Sequence, residues 1–254
     1  MASSVAVVIP VYKKPDELNP FESALIKKVE ELFYQHSLHL ALPHKLASDY
    51  RPFKSFKIIT FKDDFFVNKF SYSNLLTSLG FYEAFSSFEF LQIIQLDCWI
   101  FSDQINKFSS LGFDYIGAPW MENGFEGKPE KKIWKVGNGG FSLRRISKFI
   151  YILKKIQNFK EGKIPVFKNL NKGMFRFLKN RGVRNNLRHY IKNAPGEDIF
   201  WSIYIPQVFK DNKFRIADHQ TAAEYSFEVF PSFLYSEVTE RKLPMGCHNW
   251  INNE

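Results

Sequence analysis

Apolar residues fall along the first hundred positions as short unbroken runs, separated by longer stretches with a helical repeat. Val5–Pro10 (VAVVIP) is β-branched and apolar at consecutive positions, as in a strand buried on both faces. Asn19-Pro20-Phe21-Glu22 predicts a helix start. Asn19 can cap, Pro20 suits the first helical position, and Glu22 completes a capping box. Leu25, Val29, Leu32 and Phe33 give that helix an apolar face. Residues 38–42, ended by Pro43, and Lys57–Phe61 read as second and third strands. Ser71-Tyr72-Ser73-Asn74 opens another helix, with Leu75, Leu76, Leu79 and Tyr82 on one face. It leads into 90–103 (FLQIIQLDCWIFSD), whose apolar run breaks on Asp97. Strand and helix alternate, which predicts a mostly parallel α/β sheet with right-handed crossovers. An acid at the carboxyl end of such a strand stands where open α/β sheets bind ligands. The same acid could equally cap the following turn.

The second half is less regular. Residues 114–119 (DYIGAP) predict a short strand ending at Pro119-Trp120, and 122–132 a polar loop. WKVGNGGFSLRR follows at 134–145, then a helix over 146–159 with Ile150, Leu153 and Ile156 inward. Residues 197–209 predict a helix interrupted at Pro206, and 214–217 a late strand. The chain closes on LPMGCHNW at 243–250 and has no internal repeat.

A chain of 254 residues fits one α/β domain with an ample core. Its 45% hydrophobic content excludes global disorder. Two cysteines, Cys98 and Cys247, without a CxxC, point away from a disulfide framework or a cysteine-built zinc site. The N-terminus lacks the basic and long apolar regions of a signal peptide, and no run approaches the ~18 apolar residues that span a bilayer. A cytoplasmic location is expected. The net charge of +9 is concentrated between 154 and 192, where only Glu161 opposes the cations. Phe175, Phe177 and Leu178 interleave there with Arg176, Lys179 and Arg181. This suits a basic amphipathic helix peripheral to an anionic membrane. A solvated face is the plain alternative; nucleic-acid binding is disfavoured because no recognised motif accompanies the charge.

Three places could carry chemistry. Gly137-Asn138-Gly139-Gly140 lets the backbone take φ > 0 and approach a ligand, or is simply a tight turn between strand and helix. It has neither the Walker nor the dinucleotide spacing. Glu197-Asp198 opens a helix after Pro195-Gly196. Acids there gain roughly 0.3–1 kcal/mol each from the helix dipole, and one could also deprotonate an attacking hydroxyl. His248, between Gly246 and Trp250, could join Asp97 in a metal site.

Taken in order, VVIPVYK, SYSNLL, QLDCWIFSD, DYIGAPW, GNGGFSLR, GED and LPMGCHNW resemble a family of bacterial glycosyltransferases with the GT-A fold, long described as a domain of unknown function. The resemblance covers most of the chain; 160–193 looks like a basic helical insertion in a single domain of residues 1–254. It implies a nucleotide-diphosphate-sugar donor and a glycan acceptor, lipid-linked, in surface polysaccharide or lipopolysaccharide synthesis. Pro10, Val11, Tyr12, Lys13, Asn74 and Asp97 would bind the donor, and Trp120, Asn138, Gly139 and Gly140 the transferred sugar and acceptor. Asp198, with Glu197 second, would be the base of an inverting hexosyltransferase. The motif DxD would hold Mn²⁺ or Mg²⁺, but its position reads Asp97-Cys98-Trp99, leaving Asp97 and His248 as ligands. A nucleotidyltransferase and a non-catalytic glycan- or nucleic-acid-binding protein are the competing functions.

Overall fold

The computed structural model describes residues 4–124, 130–158, 196–209 and 214–249. Six strands form the central sheet, in the order β3-β2-β1-β4-β9-β6. They are β1 (Val5–Pro10), β2 (Ser37–Pro43), β3 (Lys57–Phe61), β4 (Phe90–Ile94), β6 (Tyr115–Ile116) and β9 (Phe141–Arg145). The pairs among β1 to β4 are parallel, while β9 runs antiparallel to both β4 and β6. The mostly parallel α/β sheet expected from the alternation is therefore present. Two smaller sheets flank it. One contains β10 (Ser226–Phe227), β11 (Gly246–His248) and β5 (Cys98–Ile100); the other is the hairpin of β7 (Pro119–Met121) and β8 (Ile133–Val136).

The alternation of side chains along β1 sorts the core into two layers. Val5, Val7 and Ile9 pack with Leu25, Ile26, Val29 and Phe33 of the α1 side, where α1 is Pro20–Leu32. Ala6 and Val8 face the opposite layer. That layer holds α2 (Lys69–Leu76), α3 (Leu79–Glu83), α4 (Ile146–Asn158) and Trp201. Both faces of the sheet are covered, which is why its strands read as continuous apolar runs. The capping box of α1 forms as its sequence predicts: Asn19 Oδ1 accepts from the Glu22 amide and Glu22 Oε2 from the Asn19 amide, both at 2.9 Å.

Several boundaries differ from the pattern. Asn68, not Ser71, caps α2, its side chain accepting from the Phe70 and Ser71 amides. The helical stretch then breaks at Thr77, and Ser78 caps α3 separately. The run from Phe90 leaves the strand at Gln95 and resumes as β5 in another sheet. The glycine turn joins two strands, β8 and β9, rather than a strand and a helix. Residues 197–208 are helical throughout, but the irregularity is a π-turn over Phe200–Tyr204, ahead of Pro206. Residues 214–217 contribute a single bridge, Ile216 to Tyr115. The basic segment 160–193 lies outside the described residues. Among the described residues no helix is long and apolar enough to cross a membrane.

Candidate active site

The chain runs from β1 to β2 and β3 on one side, then crosses back so that β4 pairs with the other edge of β1. The carboxyl ends of β1 and β4 thus flank the point where strand order reverses, the usual ligand crevice of open α/β sheets. A cavity of about 910 Å³ opens there. Of the residues singled out in the sequence, Pro10, Tyr12, Asp97, Trp120, Asn138, Gly139, Gly140, Glu197, Asp198 and His248 line it. Val11, Lys13 and Asn74 do not. Val11 is fully buried in the core. Lys13 turns to Glu22, with Nζ 2.6 Å from Oε1.

One pole of the cavity is built on His248. Strand β11 pairs antiparallel with β5, setting His248 opposite Cys98, and the Asn249 amide donates to the Asp97 carbonyl. The imidazole Nε2 lies 3.3 Å from Asp97 Oδ1 and 3.2 Å from Gln95 Oε1. Its Nδ1 lies 3.0 Å from Glu228 Oε1. Burial alone would lower the imidazole, but the hydrogen bonds it donates to Asp97 and Glu228, and their negative charges, push it up to about 10. Burial opposes Asp97 in turn, yet His248 holds its carboxyl below the usual range.

The other pole is Glu197-Asp198. Arg144, fully buried on β9, donates to both Glu197 oxygens at 2.8 and 3.0 Å, to the Tyr82 hydroxyl at 2.9 Å and to the Gly139 carbonyl at 3.3 Å. Glu197 is therefore fully engaged. Among the described residues no cation pairs with Asp198 in this way; its Oδ1 accepts from the Ile199 amide at 2.8 Å. Burial, and then the neighbouring Glu197 charge, raise its carboxyl to about 7. An acid that ionises near neutrality can exchange protons at physiological pH.

The glycine turn separates the poles. A Cβ on Gly139 would collide with the Glu197 carboxylate, and one on Gly140 with the His248 ring. None of its three glycines has positive φ. The expectation of left-handed backbone is corrected: glycine is required here for space. Asn138 locks the turn, its Oδ1 accepting from the Gly140 amide at 2.9 Å and its Nδ2 lying 3.1 Å from His248 Nδ1. On the hairpin side Trp120 stacks on Trp134, with centroids 6.5 Å apart. At the rim, exposed Lys69 places its charge near both Asp97 and Asp198.

Two central residues escape sequence reasoning. Gln95 stands two positions before Asp97 and faces the same imidazole; that spacing, directly after an apolar run, was the available signal. Glu228 sits in the unremarkable SFEVF and carries no local signal. Correspondingly, the polar pair facing His248 is Gln95 and Asp97, not a pair running forward from Asp97 to Trp99. Among the described residues no group of three or more His, Cys, Asp or Glu side chains is arranged to hold a metal. The oxygen–oxygen–nitrogen set of Gln95, Asp97 and His248 is nonetheless chemically suited to a hard divalent cation that keeps water or phosphate oxygens as its other ligands.

A family model described as a protein of unknown function (DUF5672) matches residues 55–248. No curated protein matches the chain. Among solved structures, apo mouse xyloside xylosyltransferase 1 is similar over 99% of both chains, with a TM-score of 0.53 and 11% identity. The galactosyltransferase LgtC, in complex with donor and acceptor sugar analogues, is similar over 96% of this chain and 86% of that one, with a TM-score of 0.51 and 11% identity. At such identity the likeness is one of fold. The mixed α/β architecture, with its mostly parallel sheet and flanking helices, is the GT-A fold of those enzymes.

Proposed function

The chain belongs to the DUF5672 family of proteins of unknown function, and from that premise we propose that it is a glycosyltransferase using a nucleotide-diphosphate-sugar donor. The observation that carries this reading is the convergence, in one crevice at the strand-order reversal, of the His248 pole and a carboxyl poised near neutrality, Asp198. The cavity volume, about 910 Å³, is at the upper end of the roughly 300–1,000 Å³ typical of ligand sites, which favours two substrates over one.

In this reading the donor enters between Pro10 and Tyr12 on one side and Lys69 on the other. Its diphosphate lies toward Gln95, Asp97 and His248. A divalent cation held by those three residues would neutralise charge on the departing diphosphate. Asp198 accepts the proton of an acceptor hydroxyl as its oxygen bonds to the anomeric carbon. The bond from that carbon to the phosphate oxygen breaks, and its electron pair leaves with the nucleoside diphosphate. Direct displacement of this kind inverts the anomeric centre. Glu197, held by Arg144, fixes the helix start that carries Asp198. The glycine turn borders the transferred sugar, and Trp120 the acceptor. Much of the rate gain comes from orienting two bound reactants.

A hexose donor and a lipid-linked glycan acceptor, for surface polysaccharide or lipopolysaccharide, are the substrates that the sequence resemblance favours. The basic segment 160–193 would then contact an anionic membrane from the cytoplasmic side. The test is a turnover screen of UDP-, GDP- and dTDP-sugars with Mn²⁺, scoring nucleoside diphosphate release with and without glycan acceptors. Release from one donor class, lost in Asp198→Ala, is expected. Release of pyrophosphate from nucleoside triphosphates instead would overturn the reading.

A further inference from the structure

The charge around His248 is unusual for a cation site. Gln95 is neutral, Asp97 carries one negative charge, and a ligating imidazole is neutral, so the three facing groups offer a single negative charge to a doubly charged ion. A second carboxylate is present but lies on the far side of the ring: Glu228 Oε1 is 3.0 Å from His248 Nδ1. Glu228 is placed there by its strand. It follows β10, which pairs parallel with β11, so Ser226 and Phe227 lie beside Gly246 and Cys247. Glu228 itself and the next residue, Val229, also line the cavity. Asn138 closes the other flank. Its Oδ1 is committed to the Gly140 amide, so its Nδ2 is a donor that competes for Nδ1, 3.1 Å away, as an acceptor. The charge-assisted contact to Glu228, at 3.0 Å, is the stronger of the two and favours a proton on Nδ1. Glu228 is thus positioned to fix that proton on Nδ1, leaving Nε2 to face Gln95 and Asp97. A carboxylate behind a ligating histidine fixes its tautomer and raises its basicity.

We propose that Glu228 is the positioning residue of the cation site, and that it supplies through the imidazole of His248 the negative charge that Gln95 does not. This rests on the glycosyltransferase reading only in taking Gln95, Asp97 and His248 as cation ligands. It makes Gln95 and Glu228 a compensating pair on opposite sides of one ring. An acid introduced at 95 then offsets the loss of the acid at 228.

The experiment is a Mn²⁺ titration of the full chain followed by electron paramagnetic resonance, with and without UDP, on the wild type, Glu228→Gln, Gln95→Glu and the double variant. Glu228→Gln is expected to weaken Mn²⁺ by about 10–100-fold, with an unchanged circular dichroism spectrum. Gln95→Glu is expected to tighten it, and the double variant to return to within a few-fold of the wild type. Unchanged Mn²⁺ affinity in Glu228→Gln overturns the proposal, as does a double variant no tighter than Glu228→Gln or a wild type that binds no Mn²⁺. The predicted affinity pattern without turnover of any sugar nucleotide supports the cation pair and counts against the transferase reading alone. Turnover without Mn²⁺ binding does the reverse.

Discussion

Asp198 and Glu197 are adjacent in sequence and opposite in circumstance. Glu197 has both oxygens on a buried arginine, whereas Asp198 sits beside that carboxylate and, among the described residues, makes no ion pair, with the exposed Lys69 only nearby. Asp198→Asn is expected to lower kcat by about 10²–10⁴-fold, the usual contribution of a positioned base, with the acceptor KM nearly unchanged. In the wild type kcat/KM should rise with pH through about 7, where Asp198 loses its proton. Stability moves the other way. The unfolded acid ionises near 3.8 and the folded one near 7, so ionisation opposes folding and stability falls as pH rises between those values. Asp198→Asn should flatten that fall in melting curves taken from pH 4 to 8. Glu197→Gln acts differently, because it leaves Arg144 buried with an uncompensated charge. A loss of about 3–5 kcal/mol is expected, read by urea denaturation.

At the scale of elements, the glycine turn and the strands around it depend on close approach. Gly139→Ala must displace the Glu197 carboxylate or the turn itself. A cost of about 1–3 kcal/mol, as for other overpacked interiors, is expected together with loss of sugar-nucleotide binding by calorimetry. How much of this was legible varied with how local the determinants are. The capping box of α1 is written in four consecutive residues, and the apolar strands in five or six. The start of α2 was misplaced because Asn68 competes with Ser71 as a cap, and both are good at it. The strand after the glycines is easily read as part of a helix because its apolar–polar alternation, Phe141 to Arg144, spans only four positions and runs straight into the helix at Ile146. In the structure all four residues are buried, polar ones included. The charge of buried Arg144 is matched by Glu197 from a distant helix, a fact that no local pattern encodes. Glu228 became visible only once β10 and β11 were paired.

For the whole molecule, the cavity predicts a ligand-dependent melting temperature. A ligand at a hundred times its dissociation constant adds about 2.7 kcal/mol, and a domain of this size shifts by roughly 2–4 °C per kcal/mol. UDP with Mn²⁺ is therefore expected to raise the melting temperature by about 5–10 °C in differential scanning fluorimetry, and Gly139→Ala to abolish the rise.

The pairing of β11 with β5 bears on when this protein can first work. Pro10 and His248 are walls of one chamber, contributed from opposite stretches of the polypeptide. A nascent chain still on the ribosome can lay down β1 to β4 in order, but the crevice stays open on one flank until the GCH strand emerges and docks. Contacts between such remote stretches form slowly, so a crevice able to bind its ligand should appear as an all-or-none event once the GCH strand has docked, rather than growing with chain length.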